Sequence, residues 1–372
     1  MIPSMEETDR ILADLRDLVV RESPSDHADL VTSLAQWVCE RLNRGPISIA
    51  RTVPCPPRGH AVVASVGSDT VGRPSTLLLG HLDTVWPAGT LGEIPFSNDG
   101  TVVRGPGVFD MKAGAAVAIN VIDRLRERSS CPRVTLLLVP DEEIGSSASS
   151  GLLIDLARKH DRVLVLEPSA PGGAAKVARK GTGLFRVRFT GISSHAGLDP
   201  EKGASALKAL AEFVLDTPKF ASVEAGTTLT PTLASAGTRS NVVPENAEVT
   251  LDGRVWAPSE PERVDRELRA WRPRDPRVRV DIEGGFDRPP LAESDASRAL
   301  FASAQRIARD LGFELRGERV GGASDGNLTA AAGVPTLDGL GPMGDGAHAR
   351  HEHVLVADLA RRVELIERLV LA

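Results

Sequence analysis

Two patterns of apolar positions alternate along most of this chain. Uninterrupted apolar runs of a few residues are typical of strands buried on both faces of a parallel sheet. They lie at residues 76–80, 133–140, 162–168 and 334–340. Between and around them, apolar residues recur at the three- to four-residue spacing of amphipathic helices, as at 7–20 and 111–128. This alternation predicts an α/β layer architecture, with helices on both faces of a mostly parallel sheet.

The pattern changes in the middle of the chain. Residues 183–191 (GLFRVRFTG) alternate apolar and polar side chains, as a strand with one solvated face does. Helices near 202–217 and 259–273 and three further strands complete the order β-α-β-β-α-β, which is that of a ferredoxin-like α+β unit. We therefore predict a catalytic domain in two parts with an inserted lid and dimerisation domain. The predicted segments are 1–179 (catalytic, first part), 180–288 (inserted) and 289–372 (catalytic, second part).

Composition and charge narrow the possible partners. The 372 residues carry a net charge of −6, which argues against a basic nucleic-acid-binding face. We find no apolar run of the ~18–20 residues that a membrane span needs, and no signal-peptide pattern at the start. Cys39, Cys55 and Cys131 are far apart and show no metal-ligand spacing, which favours free thiols in a reducing cytoplasm.

Acidic residues and one histidine follow the predicted buried strands or precede a helix. In open α/β sheets, ligands bind beyond the carboxyl ends of the strands, and these groups would meet there. Carboxylates that converge in this way repel one another unless a cation lies among them. Carboxylate oxygens together with imidazole nitrogens suit zinc, or manganese or cobalt. The residues concerned are His81, Asp83, Asp110, Glu142, Glu143 and Glu167.

Six motifs in consistent order, over about residues 60–355, resemble those of a known family. They are GHLDTV, GPGVFDMKAG, PDEEIGS, EP at 167–168, SSHAG and GAHARHEHV. Together they are similar to the dizinc glutamate carboxypeptidase and aminoacylase family, which includes acetylornithine deacetylase and succinyl-diaminopimelate desuccinylase. The sequences GGASDGN and PTLDGLGPMGDGAH look closest to the glutamate carboxypeptidase-like branch.

The resemblance implies two Zn²⁺ ions per subunit, with Co²⁺ or Mn²⁺ as possible substitutes. His81 and Glu167 would bind one ion, Glu143 and His348 would bind the other, and Asp110 would bridge the two. Asp110 would also be followed by a cis peptide bond.

The last motif offers three histidines for the second ion. The family pattern is glycine, any residue, then the ligand histidine, with a glutamate four residues later. His348 with Glu352 fits this pattern, whereas His351 occupies a position that is often aspartate or another polar residue in the family. His353 is the third histidine of the motif.

The resemblance also implies roles beyond the metal ligands. Asp83 would hydrogen-bond the far nitrogen of His81 and so fix its tautomer, as carboxylates behind metal ligands do. Glu142 would be the general base that takes a proton from water and delivers it to the leaving nitrogen. His195, reaching the active site of a partner subunit, would stabilise the oxyanion.

The remaining matched residues would bind substrate. Asn241 would contact it, and the planar guanidinium of Arg254 would hold its carboxylate. The glycine-rich stretch GGASDGN, through Gly322 and Ser324, would hold the same carboxylate. A phosphate-binding loop is the rival interpretation of this stretch, but the lysine of such loops is absent.

The leading hypothesis is a dizinc metallopeptidase that cleaves an amide next to a free carboxylate and releases a C-terminal amino acid. The substrate would be an acylated amino acid or a short peptide, and the enzyme a cytoplasmic homodimer joined through the inserted domain. The first alternative is an N-acyl-amino-acid deacylase of the acetylornithine deacetylase or desuccinylase type. Two further alternatives are a binding protein that has lost catalysis and a metal-free oligomerisation scaffold.

Overall fold

The structure is a computed structural model that describes residues 5–44 and 49–372. Over these residues it contains nine α-helices and sixteen strands, joined by loops and short helical turns. The helices are α1 (Met5–Val19), α2 (Ala28–Leu42), α3 (Ala113–Arg126), α4 (Ser150–Ala157), α5 (Ala206–Phe220), α6 (Glu260–Ala270), α7 (Asp295–Asp310), α8 (Asp325–Ala331) and α9 (Val356–Leu371). The strands are β1 (Ala50–Pro54), β2 (His60–Val66), β3 (Thr76–His81), β4 (Ser97–Asn98), β5 (Val102–Arg104), β6 (Val134–Val139), β7 (Arg162–Val165), β8 (Ala175–Arg179), β9 (Gly181–Thr190), β10 (Thr228–Ala236), β11 (Asn246–Val255), β12 (Arg279–Arg288), β13 (Gly317–Val320), β14 (Thr336–Leu337), β15 (Gly344–Asp345) and β16 (His353–Leu355).

The chain divides into two compact units. The first comprises the chain up to Ala178, Glu293–Val320, and Ser324 to the C-terminus. The second comprises Arg179–Ala292 and Gly321–Ala323, and it includes the segment 180–288.

A six-stranded sheet forms the centre of the first unit, in the order β1-β2-β6-β3-β7-β14. The pairs from β6 through β14 are parallel, and β1 and β2 add an antiparallel edge. Every residue of β3 is buried. Leu78 faces one apolar core, whereas Leu77 and Leu79 face another. This burial on both faces confirms the prediction made from the apolar runs.

Helices cover the two faces of this sheet. Residues of α1, α2, α3, α7 and α9 share the larger core, and α4 and α8 pack into the smaller one. Helix α3 lies very close to the chain after β7, because a Cβ on Gly114 would come within 2.0 Å of the Leu166 carbonyl oxygen. This close packing brings the start of α3 beside the residues that follow β7.

The second unit is an antiparallel sheet with two helices. Its elements follow the order β9-α5-β10-β11-α6-β12, and the strands lie in the sheet as β10-β11-β9-β12. Phe185 and Phe189 of β9 are buried in a core shared with α5 and α6. The predicted ferredoxin-like unit is confirmed.

Two small sheets were not predicted. One is ordered β15-β16-β5-β4, and the other pairs β13 with β8. Most of these strands have only two to four residues, too few for a periodic pattern to stand out. Among the described helices, none combines the length and apolar character that a membrane crossing requires.

Candidate metal centre

His81 is the last residue of β3, and its ring lies between two carboxylates. Its Nε2 is 3.2 Å from Asp110 Oδ1 and 3.4 Å from Glu167 Oε1. Its Nδ1 lies 2.9 Å from the backbone carbonyl oxygen of Asp83, which fixes the ring orientation. The ring is buried, with 1% of the side chain exposed, so strand burial positions it before any ligand arrives.

Asp110 lies in a tight turn between β5 and α3. The turn, Val108–Lys112, has the wide hydrogen bonding of a π-helix, and Asp110 itself has non-helical angles (φ −111°, ψ 97°). The peptide bond from Asp110 to Met111 is cis, as the resemblance implies. Asp110 Oδ1 faces His81, whereas Oδ2 lies 3.3 Å from His348 Nε2. One carboxylate therefore lies between two imidazoles.

Glu142 and Glu143 follow β6 in a short 3₁₀ turn, Glu142–Ile144. Glu143 Oε2 lies 3.2 Å from His348 Nε2. A carboxylate oxygen of Glu142 lies within 4.8 Å of ligand atoms of His81 and Glu167. Both glutamates therefore lie within 4.8 Å of His81, and Glu143 also contacts His348.

His348 lies in the loop between β15 and β16. Its backbone is left-handed (φ 62°), a conformation that is uncommon outside glycine. Its side chain is 49% exposed, so it is the most open member of the cluster. Of the three histidines in the motif GAHARHEHV, His348 is the one whose ring reaches Asp110 and Glu143.

Asp83 occupies the predicted place but makes different contacts. We expected its carboxylate to hydrogen-bond His81. Instead the backbone carbonyl of Asp83 does so, while Oδ1 lies 3.5 Å from His81 Nδ1, longer than an ordinary hydrogen bond. The carboxylate accepts hydrogen bonds from Ser25 Oγ (2.7 Å) and from the backbone N–H groups of Glu142 (3.0 Å) and Glu143 (3.2 Å). Two of these three bonds come from the backbone of Glu142 and Glu143, so Asp83 positions the turn that carries both glutamates.

The electrostatics of the cluster call for a cation. Burial opposes ionisation of Asp110, but hydrogen bonds from His348 and His81 outweigh it and hold the Asp110 pKa below its usual range. Burial raises the pKa of Glu143. No described residue hydrogen-bonds Oε1 of Glu143, although this oxygen is buried. A buried carboxylate oxygen without a partner is costly, and a metal ion would satisfy it.

The donor set fits divalent transition metals. In two overlapping groups, His81-Asp110-Glu143 and His81-Glu142-Glu167, the possible ligand atoms lie within 4.8 Å of one another. Imidazole nitrogens mixed with carboxylate oxygens are the ligands that zinc uses in hydrolytic sites. The first unit therefore contains a candidate metal site, and the predicted ligands all contribute to the cluster.

Four of the predicted substrate-binding or catalytic residues lie in the second unit: His195, Asn241, Arg254 and Gly322. His195 is exposed, and its Nδ1 accepts hydrogen bonds from the N–H groups of Gly197 and Leu198, both at 3.1 Å. The proton of the neutral ring therefore lies on Nε2, which is left as a donor. The backbone of Asn241 accepts a hydrogen bond from Ala196 N, which brings the Asn241 segment beside His195.

Arg254 is already paired within the second unit. Its guanidinium makes two parallel hydrogen bonds to Asp252, at 2.7 and 2.8 Å. The glycine-rich stretch is also held from this unit, because Arg179 donates to the carbonyl oxygen of Gly322 at 3.1 Å. A substrate carboxylate at Arg254 would have to compete with Asp252.

Ser324 lies in the first unit as the N-cap of α8. Its hydroxyl accepts from Gly326 N and donates to Asp338, and the residue is fully buried. This capping box accounts for the serine without any ligand. Contact between Ser324 and substrate stays a prediction, and it would require this cap to open.

Two residues that hold the site, Ser25 and Glu352, had no predicted role. Ser25, 58 residues before its partner, supports Asp83. Glu352 was noticed only as part of the His348 motif, yet its carboxylate contacts the Asp110 turn. The one feature of the sequence that could have indicated this role is its position four residues after His348, which fits the family pattern.

A parallel sheet with imidazoles and carboxylates gathered at its strand ends is the arrangement of a metal-dependent hydrolase. Residues 77–372 match the model of peptidase family M20/M25/M40, and the chain belongs to this family. It is therefore a hydrolase of a metal-dependent peptidase family.

Known relatives agree with this assignment. The chain is 28% identical over 379 residues to carboxypeptidase G2 of Pseudomonas sp. (strain RS-16), covering 98% of this chain and 90% of the relative. It is 25% identical over 349 residues to succinyl-diaminopimelate desuccinylase of Delftia acidovorans (strain DSM 14801 / SPH-1), covering 87% and 86%. Among solved structures, aminopeptidase PepT from Bacillus cereus ATCC 10987 shares the fold with a TM-score of 0.83 at 20% identity, covering 98% of each chain.

Proposed function

We propose that this protein is a dizinc carboxypeptidase-like hydrolase that releases a C-terminal amino acid from a short peptide or an acylated amino acid. The observation that carries the proposal is the position of Asp110, whose two oxygens face His81 and His348 separately. A carboxylate placed in this way suits two ions that share one ligand. The similarity to carboxypeptidase G2 over nearly the whole chain supports the substrate class.

The ligand assignment follows the two halves of the cluster. His81 and Glu167 would hold one ion, Glu143 and His348 the other, and Asp110 would bridge them. Bound zinc would supply Lewis-acid polarisation of the scissile carbonyl and would make nearby water more acidic. Cobalt or manganese could replace zinc at such ligands.

Glu142 would move the proton. Its carboxylate is close to His81 and Glu167, within reach of a water molecule at the cluster. It would take a proton from the attacking water and give it to the nitrogen of the departing amino acid. Asp83 would keep Glu142 in place by accepting the hydrogen bond of its backbone N–H.

The second unit carries the residues that we propose for recognition of the substrate and the transition state, and His195 would act at the active site of a partner subunit. His195, with its proton on Nε2, is suited to donate a hydrogen bond to an oxyanion. Asn241 and Arg254 would contact the substrate, with Arg254 exchanging Asp252 for the substrate carboxylate. Gly322 would contribute its backbone N–H to the same carboxylate.

A deacylase is the second candidate, because the chain is also similar to desuccinylases. A substrate panel separates the two. Zinc-loaded enzyme is assayed side by side on peptides with C-terminal glutamate, N-acyl-glutamates, N-acetylornithine and N-succinyl-diaminopimelate. The proposal predicts the highest kcat/KM on the peptides with C-terminal glutamate and on the N-acyl-glutamates; faster cleavage of N-acetylornithine or N-succinyl-diaminopimelate would favour the deacylase.

Chelation and substitution test the chemistry. Removal of metal should abolish turnover, and zinc should restore it. Glu142→Gln should retain bound zinc but lose at least ~10²-fold in kcat, the usual contribution of a general base. Glu127→Gln, an exposed change at the end of α3, is the matched control. Full activity of the Glu142→Gln variant would contradict the assignment of Glu142 as the general base.

We also propose a homodimer joined through the second unit, and a cytoplasmic location. Strand β10 lies at the edge of its sheet, and Leu233 on it is 70% exposed, which supports pairing with a second copy. All three cysteines are buried and unpaired, as in proteins of reducing compartments. Sedimentation of the purified protein tests the homodimer, and fractionation of the source cells tests the cytoplasmic location.

A further inference from the structure

Glu352 is a buried carboxylate that accepts four hydrogen bonds from the loops around the metal cluster. Oε1 accepts from the backbone N–H groups of Phe109 (2.8 Å) and Asp110 (2.9 Å). Oε2 accepts from Gly107 N (2.9 Å) and from the indole N–H of Trp86 (2.8 Å). Only 3% of the residue is exposed. Three of the four donors are backbone N–H groups of the Val108–Lys112 turn or of Gly107, which directly precedes it.

The local backbone explains why these donors need an outside acceptor. Gly107 is left-handed (φ 71°), and Asp110 has non-helical angles, so regular helical bonding cannot satisfy the N–H groups of this turn. A carboxylate has about four acceptor positions and no donor, which matches four converging N–H groups. A glutamine would present an NH₂ group to two of them.

Glu352 also connects the two halves of the cluster. Strand β16 follows Glu352 directly and pairs with β5, which leads into the Asp110 turn. Two successive turns join Glu352 back to His348, with Glu352 N bonded to the Ala349 carbonyl and Ala349 N to the Gly346 carbonyl. Glu352, four residues after His348, therefore accepts a hydrogen bond from the backbone N–H of Asp110.

We infer that Glu352 is a positioning residue that fixes the Asp110 carboxylate relative to His348, and thereby sets the affinity of the site for a pair of divalent ions. Trp86 assists by holding the second oxygen of Glu352. The inference rests on the proposed function, since it concerns the metal pair proposed there. Partners behind metal ligands commonly change metal affinity by ~10–100-fold when they are removed.

A purely structural role is the rival explanation. Lys112 is buried nearby and its charge attracts Glu352. However, the Lys112 ammonium donates its hydrogen bond to the Arg21 carbonyl oxygen at 2.8 Å, and the four hydrogen bonds of Glu352 come from the loops. If Glu352 served only as a counter-charge, its loss would lower the stability of the metal-free protein and leave the zinc affinity of the folded protein unchanged.

The test measures zinc affinity by competition with a chelator, on full-length wild type and three variants. Glu352→Gln keeps the size of the side chain and loses its acceptor set. Trp86→Phe removes one donor and keeps an aromatic ring. Asp14→Asn is the matched control, because Asp14 is a buried carboxylate that pairs with Arg41 away from the cluster. Unfolding of each metal-free variant is measured in parallel.

We expect Glu352→Gln to raise the zinc Kd by ~10–100-fold, Trp86→Phe to raise it severalfold, and Asp14→Asn to leave it unchanged while lowering stability. The visible absorption of the cobalt-loaded protein should change in the Glu352 variant, because the ligand geometry at Asp110 changes. A folded Glu352→Gln protein with wild-type zinc affinity overturns the inference. If that variant does not fold, wild-type affinity in Trp86→Phe overturns it. Failure of the wild type to bind zinc overturns the proposed function itself, and the inference with it.

Discussion

Asp83→Asn tests how the chain positions its two adjacent glutamates. The substitution keeps the size of the side chain and the backbone carbonyl that holds His81. It replaces one carboxylate oxygen by an NH₂ group. In the wild type the carboxylate accepts hydrogen bonds from Ser25 and from the backbone N–H groups of Glu142 and Glu143, so the new NH₂ group would face at least one of these donors. The variant therefore disturbs the glutamate turn and leaves the orientation of the His81 ring in place.

The structure sets the expected size of the effect. A hydrogen bond to a charged group contributes ~1.5–3 kcal/mol. Loss of one such bond to the backbone of Glu142 or Glu143, with the negative charge beside His81 also removed, should cost about 3 kcal/mol. Since each ~1.4 kcal/mol is a factor of ten, kcat/KM should fall by ~10²-fold. Ser25→Ala removes one donor and keeps the carboxylate, so it should cost about 1.5 kcal/mol, or ~10-fold.

The assay is kcat/KM on the best substrate of the panel, with zinc content measured on the same preparations. Ser25→Ala serves as the graded comparison, because it acts on the same carboxylate from the other side. An Asp83→Asn enzyme within threefold of wild type would refute the idea that this carboxylate positions the catalytic turn.

Three further predictions concern packing, pH and the second unit. Gly114→Ala should destabilise the protein by ~1–3 kcal/mol or more, because the new methyl group would meet the Leu166 carbonyl; an unchanged urea midpoint would contradict this. The hydrogen bonds and charge of Arg263 lower the pKa of Glu260 to about 2 from its ordinary 4.5, so its contribution to stability is present above pH 4.5 and is lost as the pH falls toward 2. Urea unfolding of wild type and Glu260→Gln should therefore converge over that range, and a constant difference would count against the ion pair. His195→Ala should lower kcat by ~10²–10³-fold with little change in KM, and a change confined to KM would assign His195 to substrate binding instead.

The features predicted correctly from sequence are those that depend on local patterns. Four apolar runs gave the parallel strands, because burial on both faces leaves few positions for polar side chains. The residues after those strands gave most of the cluster, because the carboxyl ends of parallel strands meet at one edge. The length of β14 was the weakest of these predictions, since only Thr336–Leu337 are paired as strand within the run 334–340.

The features missed depend on contacts between distant segments. The carboxylate of Asp83 faces Ser25 and the glutamate turn, a choice made by packing between segments that are 58 or more residues apart. Glu352 and Asp110 are 242 residues apart in the chain, and the pairing of β16 with β5 brings their segments together. Ser324 shows the same limit, because nothing in GGASDGN distinguishes a buried helix cap from a ligand-binding hydroxyl.

The proposed hydrolysis depends on two divalent ions, one on each side of the Asp110 carboxylate. The most direct test is a crystal structure of the zinc-loaded protein with anomalous differences collected at the zinc edge. We expect two strong peaks per chain, one beside His81 and Glu167 and one beside Glu143 and His348. A well-folded, zinc-loaded crystal with no peak among these side chains would contradict it.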